Sequence, residues 1–203
     1  MTALILATHN AHKVAEFQRI IGRELADVTV GPYDGPEPVE DGTSFSENAL
    51  IKARAAAAHT GRIAMADDSG ISVDILGGAP GIFSARWSGH GATDAANVAL
   101  LLDQLADIHD QHRAASFVCH IALVVPEGMP GAGFEHVSVG VWPGRLAREP
   151  RGENGFGYDP VFVPEGYDLS SAELPPETKN AISHRARAFE DLIPTLRRVL
   201  APS

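Results

Sequence analysis

The apolar run at residues 4–7 stops abruptly at Thr8-His9-Asn10. A helical pattern then starts near His12, with Val14, Phe17, Ile20 and Ile21 on one face. A strand that turns straight into a helix points to mixed α/β structure. It also makes a ready anion cradle, because free backbone N–H groups and the positive end of the helix dipole face the turn. This turn contains no glycine, so it matches neither GxGxxG nor GxxxxGK[ST]. Side chains must then supply the donors. Thr8 and Asn10 can donate to phosphate oxygens, and Lys13 adds a point charge one turn in. The plain alternative is that Asn10 caps the helix and Lys13 is a solvated surface residue.

The pattern predicts a strand over 3–8, a helix over 12–22, a short strand over 27–30 and a Pro/Gly-rich loop over 31–42. Ser44 and Glu47 form a capping box for a helix over 45–59, and Gly61 lies just past its end. Strands over 63–67 and 71–75 and a turn over 77–81 follow. Thr93 or Asp94 opens a helix that turns Val98, Leu101, Leu102 and Leu105 inward. Long strands over 114–125 and 133–142 suggest an antiparallel hairpin. Short strands over 145–148 and 161–163 come next, then irregular chain to Pro176. Ser183 caps a last helix reaching Leu200, which Pro194 should kink or break. The mixture is α/β with a partly antiparallel sheet.

With 203 residues, 44% of them apolar and 21% charged, the chain suits one domain over 1–203 with a substantial core. Its first apolar run is too short for a signal peptide, and no stretch approaches a membrane span. Cys119 is the only cysteine, which excludes an internal disulfide and fits a reducing compartment. The expected location is cytoplasmic, with no membrane partner. A net charge of −10 argues against a nucleic-acid partner. A small anion remains compatible if basic side chains or a metal ion reverse the field locally.

Three further clusters carry chemistry. Asp67-Asp68-Ser69-Gly70 ends the strand IAMA, where adjacent carboxylates invite a cation; an Asp-Gly turn explains the composition equally well. Glu40, Asp41 or Glu47 could supply a further carboxylate, and hard oxygen ligands beside a phosphate suggest Mg2+. In GENGFGYDP, residues 152–160, glycines permit close backbone approach, and Phe156 or Tyr158 offers a face to a flat ring, unless the aromatics enter the core. In KNAISHRARAF, residues 179–189, His184 and Arg185 fall in the first turn after Ser183, where the helix dipole disfavours cations. A nearby anion or carbonyl acceptor would explain them; exposed, screened charge is the alternative.

THNAHK at 8–13, FSENALIKA at 45–53, ADDSG at 66–70, LGGAPGIFSARWSG at 76–89, GFGYDPVF at 155–162 and KNAISHR at 179–185 occur in one order along the chain. Together they resemble the Ham1-like non-canonical purine nucleoside triphosphate pyrophosphatases, the inosine triphosphatase or dITP/XTP pyrophosphatase family. Each segment alone is weak; six in order are specific. The resemblance implies an elongated single α/β domain with a long curved mixed β-sheet, two lobes and helices flanking a central cleft. It implies a homodimer and Mg2+-dependent hydrolysis of ITP, dITP or XTP to the monophosphate and pyrophosphate, cleansing the nucleotide pool. It further implies that Glu40 and Asp68 hold the metal and that Asp68 is the general base. Substrate would be bound by Thr8, His9, Asn10, Ala11, His12, Lys13, Ser69, Phe156, Gly157, Tyr158, Asp159, Lys179, His184 and Arg185. His9 departs from the small residue usual there, and Arg86 has no assigned role.

On this expectation the glycine-free turn holds a triphosphate through side-chain donors. Asp67 stays an alternative base. N–H donors from His184 and Arg185 would suit the O6 of hypoxanthine or xanthine and would face the amino group of adenine unfavourably. The competing readings are a Maf-like pyrophosphatase acting on other modified nucleotides and a non-catalytic nucleotide-binding module.

Overall fold

The computed structural model describes residues 2–9 and 11–201; the side chains of Thr2, Ala11, His12 and Glu16 also fall outside the described set. Strand β1 is Thr2–Leu6, and it leads through the expected turn into helix α1, Ala11–Glu24. Phe17 and Ile21 of α1 are fully buried, with Val14 and Ile20 packed beside them, so the predicted face is the one that enters the core. Strand β2, Val28–Pro32, runs parallel to β1 with Leu4 opposite Val30.

Helix α2 is Phe45–Thr60. The Ser44 hydroxyl accepts from the Glu47 N–H at 3.2 Å, and the Glu47 carboxylate accepts from both the N–H and the hydroxyl of Thr43. Gly61 closes the helix in the left-handed region at φ 63 and donates its N–H to the Ala57 carbonyl. Both ends of this helix form as the sequence predicts.

Strand β3, Ala64–Val73, is one continuous element where two strands and a turn were expected. Residues 67–70 are extended, which overturns the Asp-Gly turn. Two features hold the stretch straight. Its flanks, Ala64 to Ala66 and Ile71, are fully buried, and Gly70 lies so close to its surroundings that a β-carbon would sit 2.4 Å from the Ser84 hydroxyl and 2.5 Å from the Gly81 carbonyl. Helix α3 is Asp94–Gln104, capped by Thr93.

Strand β4 is Ala114–Val124 and β5 is Glu135–Leu146. The expected separate strand near 145–148 is the end of β5, which runs on through Pro143 and pairs antiparallel with β6, Phe162–Pro164. Helix α4, Pro176–Ile182, was not anticipated. Helix α5, His184–Val199, passes Pro194 without breaking, with Ala188, Phe189, Leu192 and Leu196 anchored in the core. The strands hydrogen-bond in the order β2-β1-β3-β4-β5-β6.

The chain divides into two compact units. The first comprises residues 1–68, 119–140 and 188–203; the second comprises 69–118 and 141–187. In the first, one core gathers Leu4, Leu6, Phe17, Met65, Ile121 and Phe189, and another packs the alanine face of α2 against Ile5, Ala64, Ala66 and Ala122. In the second, Ile71, Leu101, Leu105, Phe117, Trp142 and Phe162 form the core. There Arg113 is buried and donates to the carbonyls of Leu105, Leu146 and Ala147.

Candidate functional site

In the first unit, alternation along β3 decides where the paired acids go. Met65 packs with α1 and β1, while Ala64 and Ala66 pack with α2. Asp67 therefore follows Met65, and Asp68 follows Ala66. Asp67 is buried and accepts from Lys13 Nζ through both carboxylate oxygens, at 2.8 and 3.1 Å. Asp68 accepts from Lys52 Nζ at 3.2 Å and from the Asn48 amide at 3.3 Å. The adjacent carboxylates, which the sequence suggested would invite a cation, are answered by two different lysines.

Lys52 also lies 3.1 Å from a carboxylate oxygen of Glu40, so one ammonium joins Glu40 to Asp68. Burial works against that ammonium, but Asp68, Glu40 and Asp67 outweigh it and raise the Lys52 pKa. Burial pushes the Asp68 carboxyl up; Lys52 pulls it down without cancelling the rise, and Glu40 adds to it. A carboxylate that holds its proton more readily than usual is the kind suited to general-base work near neutrality. Asp41 and Glu47 do not join this group: Asp41 is exposed, and the Glu47 carboxylate accepts from the N–H and hydroxyl of Thr43, just before the cap. Thr8, Lys13, Glu37, Glu40, Lys52 and Asp67 line one pocket.

Asn10 lies outside the described residues, as do the side chains of Ala11 and His12. His9 turns to the 33–37 stretch, contacting the Gly35 carbonyl and the Glu37 carboxylate.

In the second unit, Ser69, Phe156, Gly157, Tyr158, Asp159, Lys179, His184 and Arg185 line a pocket of about 610 Å³, including its open mouth. Phe156 keeps 61% of its surface exposed, whereas Tyr158 is buried and donates its hydroxyl to the Ser84 carbonyl at 2.8 Å. The open choice between the two aromatics resolves: Phe156 presents a ring and Tyr158 braces the wall. Burial, with Asp94 adding to it, pushes the Tyr158 phenol well above its usual range, so it stays a donor.

Lys179 Nζ lies 5.6 Å and the Arg185 guanidinium 5.4 Å from the centre of the Phe156 ring. Lys179 is also paired with the buried Asp159, which accepts in addition from the Phe156 N–H and the Ser171 hydroxyl. His184 is buried and stacks on Phe117, 4.9 Å between centroids and 13° from parallel. Arg185 is 8% exposed, which excludes the alternative of exposed, screened charge for this residue. The Ser183 hydroxyl accepts from the Ala186 N–H, and so fixes the turn that carries both side chains.

Sequence reasoning missed Asn48, Lys52 and Asp94. Lys52 had a signal: with Asn48 it forms an i, i+4 pair beside Ala49, Ala53 and Ala56, all buried on the core-facing side of α2. A lysine on such a stripe needs an acidic partner. Asp94, which accepts from the Gly157 N–H at 2.7 Å, had none, because its partner lies 63 positions away. Arg86 lies 5.3 Å from the centre of the Phe83 ring, within the same short turn.

Comparison with known proteins gives the same constellation a context. The family model described as the Ham1 family matches residues 4–195. A dITP/XTP pyrophosphatase of Leifsonia xyli subsp. xyli is 58% identical, over 100% of this chain and 99% of that protein. The structure of a HAM1 protein from Coxiella burnetii superposes with a TM-score of 0.89 at 44% identity, covering 98% of this chain and 100% of the other. The Staphylococcus aureus Ham1 protein superposes with a TM-score of 0.84 at 36% identity, covering 97% and 99%. With its acid-lysine cluster, its aromatic pocket and a match over nearly its full length, the chain belongs to the Ham1 family.

Proposed function

We propose that this protein hydrolyses non-canonical purine nucleoside triphosphates, ITP, dITP or XTP, to the monophosphate and pyrophosphate, with residues 1–203 acting as one catalytic domain. The observation that carries the reading is the chemical division of labour between two sets of side chains. One set joins acids and lysines, as a triphosphate with a metal requires. The other sets an exposed aromatic ring beside buried N–H donors, as a purine with a 6-oxo group requires. Relatives that are dITP/XTP pyrophosphatases support the same substrate class.

The donor set fits Mg2+. Glu40 and Asp68 both reach one cation, the Lys52 ammonium. No group of three or more metal-binding side chains converges among the described residues. Mg2+ commonly takes one or two carboxylates and completes its shell with water and substrate phosphate. Bound there, it would neutralise charge developing on the phosphate oxygens.

The side chains have separate tasks. Lys13 and Lys52 draw in the triphosphate as point charges, and Thr8 donates to a phosphate oxygen. Asp68 orients a water and takes its proton as the water oxygen bonds to the α-phosphorus. The bond to the α,β-bridging oxygen breaks, and pyrophosphate leaves with the electron pair. Asp67, held by Lys13 through both oxygens, serves as that lysine's counter-ion. Phe156 stacks on the base, and His184 and Arg185 donate to its O6.

Product analysis tests the chemistry. Incubation of ITP with the protein and Mg2+ should release IMP and pyrophosphate in equal amounts, with no reaction under chelator. Release of IDP and orthophosphate would place the attack on the wrong phosphorus and refute the mechanism.

A further inference from the structure

His9 makes contacts that the chemistry above leaves unused. Its ring stacks on Tyr33, 5.9 Å between centroids and 15° from parallel. Nε2 is 3.0 Å from the Gly35 carbonyl oxygen, and Nδ1 is 3.2 Å from a Glu37 carboxylate oxygen. Both ring nitrogens therefore face acceptors. An imidazole can donate to either acceptor, and the ring lies within ion-pair distance of Glu37.

The segment that His9 grips is shaped for close approach. Tyr33 is buried, and its hydroxyl donates to the Pro36 carbonyl at 3.0 Å. Gly35 lies so tightly on the same ring that a β-carbon there would sit 2.3 Å from the Tyr33 hydroxyl oxygen. Residues 33–37 thus wrap one aromatic ring, and His9 fastens them from the turn between β1 and α1. Both stretches line the same pocket, Tyr33, Glu37 and Glu40 from one and Thr8 and Lys13 from the other.

Charge gives the contact a second consequence. The Glu37 carboxylate would repel an incoming triphosphate if left unanswered. The cations nearby have other partners: Lys13 pairs with Asp67, and Lys52 with Glu40 and Asp68. His59, whose ring meets the Tyr33 ring edge-on, faces Asp34 at 3.9 Å. Glu37 is answered by His9.

We propose that His9 is a positioning residue that clasps the loop carrying Glu40 to the phosphate turn and neutralises Glu37 at the pocket rim, thereby setting affinity for the nucleoside triphosphate. The effect on affinity rests on the nucleotide reading; the clasp itself does not.

Two measurements on the intact chain test this, with wild type, His9→Ser, Glu37→Gln and the double variant. The first is hydrogen exchange of the 34–40 amides without nucleotide or metal. His9→Ser should speed it about twofold to fivefold, the scale of a half-exposed ion pair, while α5 exchanges as before. The second is ITP kinetics. KM should rise about twofold to fivefold in His9→Ser with kcat nearly unchanged, and Glu37→Gln added to it should recover part of the KM while loop exchange stays fast. Unchanged exchange in His9→Ser overturns the clasp. A raised KM that Glu37→Gln does not relieve overturns the neutralisation. If wild type does not turn over ITP, the nucleotide reading fails, and hydrogen exchange still judges the clasp.

Discussion

Lys52 holds Glu40 and Asp68 together with one partly buried ammonium, and its removal should expose what the cluster is for. Lys52→Met leaves two carboxylates without their shared cation and should cost about 1–3 kcal/mol of stability in the absence of metal. Added Mg2+ should then raise Tm by more than it does in wild type, because the metal takes over the vacated charge. Equal metal shifts in thermal unfolding would show that Glu40 and Asp68 are not the metal ligands. Asp68 carries the opposite sign. Its carboxyl pKa is raised in the folded state, chiefly by burial, so the folded protein holds that proton longer than the unfolded chain does. Its contribution to stability therefore falls as pH rises above the ordinary value of 3.8. Asp68→Asn should lose most turnover, yet gain Tm at pH 7 without metal, a gain that shrinks as pH falls toward 3.8 and is absent below it. Unfolding curves across pH, run beside turnover assays, test both halves. On the base side, Arg185→Ala removes a buried charged donor. It should cut kcat/KM for ITP on the order of 10- to 200-fold while ATP stays flat or gains. An equal fall for both substrates would show that Arg185 holds phosphate or the fold.

At the scale of elements, β3 is where the sequence was hardest to read. Asp, Asp, Ser and Gly are turn formers by composition. Extended backbone wins there because lysines from α1 and α2 take the acids one on each side, and because Gly70 fits against Ser84 and Gly81, which follow it in the chain. Those partners are invisible to local propensity. Gly70→Ala should accordingly destabilise by about 1–3 kcal/mol, measured as a shift in denaturant midpoint; an unchanged midpoint would mean that the Ser84 turn yields easily. Helix α2 was legible at both ends because its caps are local chemistry, Ser44 with Glu47 and then Gly61. Helix α4 went unseen because it is seven residues long and opens on Pro175-Pro176, which reads as loop. Pro194 sits inside α5 because the apolar face around it is fully buried, and that packing outweighs one lost hydrogen bond.

For the whole molecule, a net charge of −10 means that any triphosphate must be met by converging cations or a metal ion. Lys13 and Lys52 line one pocket, and Lys179 and Arg185 line another. Most of the candidate site was legible because six short segments keep their order along the chain. The Lys52 bridge and the His9 clasp were not, since each depends on residues brought together from separate segments by the fold. The proposed preference is for hypoxanthine and xanthine over adenine and the pyrimidines, and over guanine, which shares their O6 and must be rejected at its 2-amino group; a substrate panel separates these cases. Steady-state kcat/KM for pyrophosphate release should be measured on dITP, ITP and XTP beside dATP, dGTP, dCTP and dUTP, at one Mg2+ concentration. Inosine or xanthosine triphosphates should exceed dATP by roughly 10⁴ and lead every other substrate. A pyrimidine triphosphate in first place, or dATP within tenfold of dITP, would contradict it.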